Sequence, residues 1–313
     1  MYVCTIKFRY TKHKIRWTQW DNRATIIMKK IQLVKISILL LIGVFCLSSC
    51  QKDGVFNPKK KISKISIQIE GKKEIVVTEV WTWDKDKLVK IGLGNGSAKF
   101  EYDGEQLSKI VLNPYTYTKC IYKGNKLDKM ETYSTYGSYN TLVSANIFEY
   151  KGSKMSKIIV EDYSVNNKST EVKTINPLQF VLPQHLSEGI MEHIQMEKDE
   201  KGTSSHTISL TWNKDNIEKM VTEKKSNGTL ITQTKAYTYD NKKNPFYGLL
   251  YPNPTSSKNN IIKETSTSSE GKTQYTESVY SYTYKDNYPM ERKTTINTAI
   301  GPYTLIQYYE YLK

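Results

Sequence analysis

The chain has 313 residues, 38% of them hydrophobic and 25% charged, with a formal charge of +15, 24 tyrosines and only 4 cysteines. That length allows one or two domains with a sizeable core. Too few cysteines are present for a disulfide framework, too little glycine and proline for a fibrous protein, and a mean hydropathy of −0.57 excludes a polytopic helical membrane protein.

Residues 1–27 precede a complete targeting signal and read as an upstream extension, with Met28 as the working start. Met28-Lys29-Lys30 opens a basic region, and an apolar stretch from Ile36 to Leu47 runs into Leu47-Ser48-Ser49-Cys50. The run is short for a membrane span and has the three-part layout of a secretory signal over 28–49. Its ending resembles a bacterial lipobox, which implies cleavage before Cys50 and acylation of that cysteine. Two or more acyl chains anchor stably, so Cys50 and a tether over 50–60 would hold a water-soluble domain at a membrane. Gln51-Lys52-Asp53 resembles the start of a surface-export signal of Bacteroidota lipoproteins and points to the outer-membrane surface.

Beyond Cys50 the chain keeps 37 lysines and arginines against 30 acids, a net of +7. Arg292 is the single arginine among them. Nucleic-acid readout leans on the planar guanidinium fork, so the composition argues against a nucleic-acid partner. Cys120 has no partner once Cys50 is acylated and is expected to be a buried small hydrophobe.

From residue 61 to 313 a single domain is built on a repeat. An aromatic residue is followed by an apolar one at +5, a lysine at +7 and an apolar one at +8. The matches are Trp83/Leu88/Lys90/Ile91, Tyr102/Leu107/Lys109/Ile110, Tyr122/Leu127/Lys129/Met130, Tyr150/Met155/Lys157/Ile158 and Trp212/Ile217/Lys219/Met220, preceded by a half-unit, Ile62/Lys64/Ile65. Polar turns such as Asp103-Gly104-Glu105-Gln106 separate aromatic from apolar anchor, so each unit predicts a strand, a tight turn and a strand. Period-2 alternation in 64–70, 81–83 and 280–284 agrees. The fold class is therefore all-β: an antiparallel meander of hairpins that curls strongly or closes into a barrel, because a long open sheet leaves exposed edges. One short helical insertion is predicted near 177–196.

That insertion carries His185, Glu188 and Glu192 at helical spacings, but Gly189 interrupts them and no zincin signature is present, so no metal or other cofactor is expected. No nucleophile elbow or phosphate loop can be read either. Glu101, Asp103 and Glu149 sit beside aromatic anchors and are expected to face solvent, as partners of cross-strand lysines.

The units, together with Tyr237 to Phe246 and Tyr282 to Pro289, resemble an uncharacterised family of Bacteroidota lipoproteins with a porin-like β-fold, and are similar to the tyrosine-aspartate repeats of Rhs-type shells. The regular Asp and Arg of the latter are missing here. The resemblance implies a barrel-like or strongly curved antiparallel sheet and no particular activity. A transmembrane barrel is not expected, since lysine and glutamate lie within the strands, as in Phe148-Glu149-Tyr150-Lys151. The functional expectation is a non-catalytic envelope lipoprotein that binds a glycan or an envelope protein through Trp81, Trp83, Tyr133, Tyr136 and Tyr139, because aromatic faces offer contact area at low ordering cost. The alternative is a polysaccharide hydrolase using carboxylates assembled by the fold.

Overall fold

The computed structural model describes residues 56–94, 96–163, 204–226, 228–251, 253–269, 274–298 and 301–313, all within the unit Lys52–Lys313. Sixteen strands follow in chain order: β1 (Ile62–Ile69), β2 (Val76–Asp84), β3 (Lys87–Leu93), β4 (Gly96–Asp103), β5 (Gln106–Asn113), β6 (Thr116–Lys123), β7 (Lys126–Tyr136), β8 (Tyr139–Lys151), β9 (Lys154–Asp162), β10 (Ser204–Asn213), β11 (Asn216–Ser226), β12 (Thr229–Tyr239), β13 (Ile261–Ser268), β14 (Gln274–Lys285), β15 (Tyr288–Thr298) and β16 (Gly301–Tyr311). Each pairs antiparallel with its neighbours in sequence, and β1 pairs with β16, so the meander closes into a barrel. The expected all-β fold is the fold observed, and closure removes the edge strands altogether. Among the described residues the one helical element is a 3-10 turn at Pro254–Ser256. The helix expected near 177–196 lies outside the described residues.

The repeat has a geometric meaning. In every unit the aromatic anchor stands directly opposite the apolar one: Trp83 faces Leu88, Tyr102 faces Leu107, Tyr122 faces Leu127, Tyr150 faces Met155 and Trp212 faces Ile217, each beside a register shift. A bulge at one fixed place increases local twist and helps to bend a sheet round on itself. Tyr239 opposite Ile261 and Tyr284 opposite Pro289 continue the series. The half-unit at Ile62 is completed by Tyr311, from the other end of the chain. It is the eighth unit, split by the chain termini.

Neighbouring units are stitched together by the same aromatics. The hydroxyl of Tyr102 donates to the Leu88 carbonyl (2.8 Å), Tyr122 to Leu107 (2.9 Å), Tyr150 to Leu127 (2.7 Å), Tyr239 to Ile217 (2.6 Å) and Tyr311 to Pro289 (2.7 Å). The indoles of Trp83 and Trp212 do the same to Ile62 and Met155, both at 2.7 Å. Each acceptor belongs to the apolar anchor of the preceding unit. Lysines of the turns lie over several of these rings, among them Lys126 over Tyr150 at 4.8 Å and Lys154 over Trp212 at 5.0 Å. The turns start on a residue of positive φ, as at Gly124 (62°) and Gly152 (64°), which is where glycine avoids the clash that a Cβ would meet.

The +8 residues face inward: Ile91, Ile110, Met130 and Ile158 are buried in one core with Leu88, Leu107, Leu127 and Phe148. The +7 lysines face outward. Lys109 and Lys157 sit opposite Glu101 and Glu149 and approach them to 3.4 Å, so these acids are surface partners of cross-strand lysines, as the sequence predicts. Cys120 is buried and free, as expected, and burial pushes its thiol up to about 12, leaving it unreactive.

Candidate functional site: one sealed end and a polar inner wall

The connection between β12 and β13 replaces a tight turn with a loop, residues 240–260, that folds across the barrel end. Asp240 anchors its base, accepting from the Tyr284 hydroxyl and from the backbone N–H of Lys242 (2.9 Å) and Asn260 (3.1 Å). Asn244 holds the middle through the carbonyls of Thr255 and Ser257. Asn253 caps the 3-10 turn with a reciprocal capping box. Phe246 packs on Trp81 of β2 and Tyr309 of β16, while Tyr251 packs edge-on against Phe148 of β8. In the strand order β8 lies half-way round from β16, so the loop spans the bore. Phe246, Leu249 and Tyr251 are all buried and fill it. Phe56, ahead of β1, joins the same seal against Trp81 and Trp83.

Beyond the seal the inner wall turns polar. Arg292 stands opposite Tyr282 and Gln307, with its guanidinium 5.3 Å from the Tyr280 ring. Tyr309 donates to Gln307 (2.8 Å), and the Trp81 indole donates to Glu79 (2.8 Å). Lys235 and Glu264 form an inward ion pair at 3.0 Å with side chains 17% and 18% exposed. Burial pushes the phenols of Tyr237, Tyr280, Tyr282 and Tyr309 up, so they are neutral hydroxyls. On the neighbouring strands β6 and β7 the hydroxyls of the paired Thr118 and Thr132 meet at 3.0 Å, and on β10 burial, then the nearby Lys224, depress His206 to about 4, leaving it neutral near pH 7. Among the described residues no group of His, Cys, Asp and Glu could hold a metal ion.

The five aromatic candidates occupy three separate places. Trp81, 4% exposed, and Trp83 are stacked inside the sealed end. Tyr133 lies on the outer wall, stacked on Tyr117 and donating to Glu131 at 2.7 Å; that hydrogen bond, the main cause, pushes its phenol up to about 12. Tyr136 and Tyr139, 88% and 77% exposed, flank the β7–β8 turn at the far rim. Only the last two stand side by side with free faces. The inward polar residues on β12–β16 escaped sequence reading because alternation marks two faces without saying which one lines a bore. Arg292 was the available signal, as the only arginine after Cys50.

No family model and no curated protein matches the chain. Among solved structures it is similar to a porin-like protein from Bacteroides vulgatus, at 12% identity and a TM-score of 0.49, covering 81% of this chain and 99% of that one. It is also similar to a Bacteroides fragilis protein of unknown function, at 8% identity and a TM-score of 0.17, covering 63% and 88%.

Proposed function

We propose that this chain is a lipid-tethered cell-envelope protein of the outer membrane with a non-catalytic role, presenting a binding surface to a glycan or an envelope protein. The observation that carries this reading is the combination of an apolar core packed under the plug, charged residues in mid-strand on the outer wall, and a bore closed by the chain's own loop. Lys99, Glu101, Lys119 and Lys157 lie on the outer wall in mid-strand, where a lipid-facing lysine would cost roughly 2–4 kcal/mol at a bilayer midplane. A barrel of this polarity is a water-soluble body and needs a separate anchor, which the lipobox-like run ending at Cys50 supplies.

The inward acids Glu79 and Glu264 are held by Trp81 and Lys235, which supports a binding role over a hydrolase. Tyr136 and Tyr139, at the end away from the chain entry at Phe56, are the faces best placed for a ligand. The test is acyl labelling of the full chain in cells with a palmitate analogue. Label and membrane association should both disappear in Cys50→Ala, and the purified protein should give no conductance in planar bilayers. Retention of the label in Cys50→Ala, or stepwise channel currents, would overturn the reading.

A further inference from the structure

Among the described residues, charge is distributed unequally between the two barrel ends. Taking each turn with its flanking residue pair, together with 59–61, the 240–260 loop and 312–313, the described residues of the sealed end carry fifteen lysines and seven acids, a net of +8. By the same rule the described residues of the far rim carry two lysines, Lys72 and Lys73, and three acids, Glu70, Glu74 and Asp162, a net of −1, and are otherwise uncharged. Some crown lysines are engaged locally, as in Lys60–Asp286 at 3.0 Å and Lys61–Asp86 at 2.6 Å. The acids are nonetheless outnumbered two to one. Lys85, Lys151, Lys214 and Lys285 project from the turns as exposed residues. Asp286 is held below the usual carboxylate range by Lys60, so it remains an anion already counted in that balance.

The same end receives the chain. Phe56 is docked against Trp81 and Trp83, and the strap after it is bound to the C-terminus through Leu312 N–H to the Lys61 carbonyl (2.9 Å). Between Cys50 and Phe56 five residues intervene, which even fully extended span less than about 25 Å. A tether of that length would keep the crown, and not the far rim, next to the bilayer.

We infer that the lysine crown of the sealed end is a docking surface for an anionic lipid bilayer, so that the barrel stands plug-down with Tyr136 and Tyr139 pointing away from the membrane. The orientation rests on the tethered reading; the crown's affinity does not. Spread lysines without an arginine fork suit a diffuse layer of headgroup phosphates better than a shaped anion site. Acyl chain and basic surface then form the two-signal arrangement that makes membrane attachment stable.

The test uses residues 51–313, which contain the whole closed barrel and no acyl chain, in sedimentation with vesicles of phosphatidylcholine alone or with roughly 30 mol% phosphatidylglycerol. Binding is expected only to the anionic vesicles, weakening at high salt. The triple variant Lys85→Gln, Lys151→Gln, Lys214→Gln should lose about tenfold or more in affinity. The triple Lys99→Gln, Lys119→Gln, Lys219→Gln, with the same net charge but on the outer wall, should bind nearly as the parent. Should the first triple fail to fold, Lys243→Gln, Lys285→Gln, Lys313→Gln reads the same surface. Equal losses in crown and wall variants, or equal binding to both vesicle types, would overturn the inference. Failure of Cys50 labelling with crown-dependent binding intact would overturn the tether alone.

Discussion

The two halves of the barrel obey different rules. At the sealed end the units repeat the same parts: an aromatic opposite an apolar anchor, a bulge, a two-residue turn (replaced once by the plug and once by the chain termini), and a hydrogen bond to the unit before. Toward the far rim the inner wall carries Arg292, Glu79, Lys235, Glu264, Thr118 and Thr132 with no recurring order. The contrast separates the tasks of the molecule. One end supplies closure and stability, and the other is released from the repeat and can vary its chemistry.

The largest effect should come from the seal. Phe246→Ala removes a buried ring that joins the plug to β2 and β16, and should cost about 3–5 kcal/mol in denaturant unfolding. If the plug were a loose cover, the loss would stay near that of a surface change. Next comes the polar wall. Glu264→Gln leaves Lys235 half-buried and without its counter-charge, at a cost of about 2 kcal/mol, whereas replacing both residues by Leu and Met should recover most of it; a double-mutant cycle measures the coupling.

Acid should weaken the same half through His206. Its pKa is lowered in the folded protein, from 6.5 to about 4, so below pH 6.5 the unfolded chain binds a proton that the folded chain refuses. Stability therefore falls as pH drops from about 6.5 to about 4, by about 1–2 kcal/mol after solvent screening. His206→Gln should flatten that slope in urea titrations across the range. A smaller loss, about 1 kcal/mol, is expected for Tyr122→Phe, which deletes one stitch and leaves the Leu107 carbonyl without its donor. Tyr136→Ala, at the far rim, should change melting by under about 0.5 kcal/mol and serves as the reference. A stitch variant as neutral as this one would remove the distinction between the halves.

Strands, turns and the inward or outward facing of +8 and +7 residues were legible because they depend on neighbours a few positions apart. The aromatic anchors could be recognised as a series, yet Trp81 and Trp83 read as candidate binding faces until their place beneath the plug was seen. Nothing local distinguishes a strand aromatic that fills a bore from one that meets a ligand. Glu101 and Glu149 read correctly, since a cross-strand partner lies within the same hairpin.

What the amino-acid sequence determined by itself is the hairpin unit: glycine or a tolerated left-handed residue at the turn, alternation for the pleat, an aromatic and an aliphatic residue placed to meet. Only the tertiary structure decided that eight such units close, with Tyr311 completing the unit begun at Ile62, that the 240–260 loop crosses the bore, and that lysines from turns far apart in the chain gather at one end. Hairpin pairing is a short-range matter of backbone twist and side-chain contact. Closure, the seal and the charge of an end arise from segments far apart in the chain, whose meeting is set by the curvature and stagger accumulated over the whole sheet.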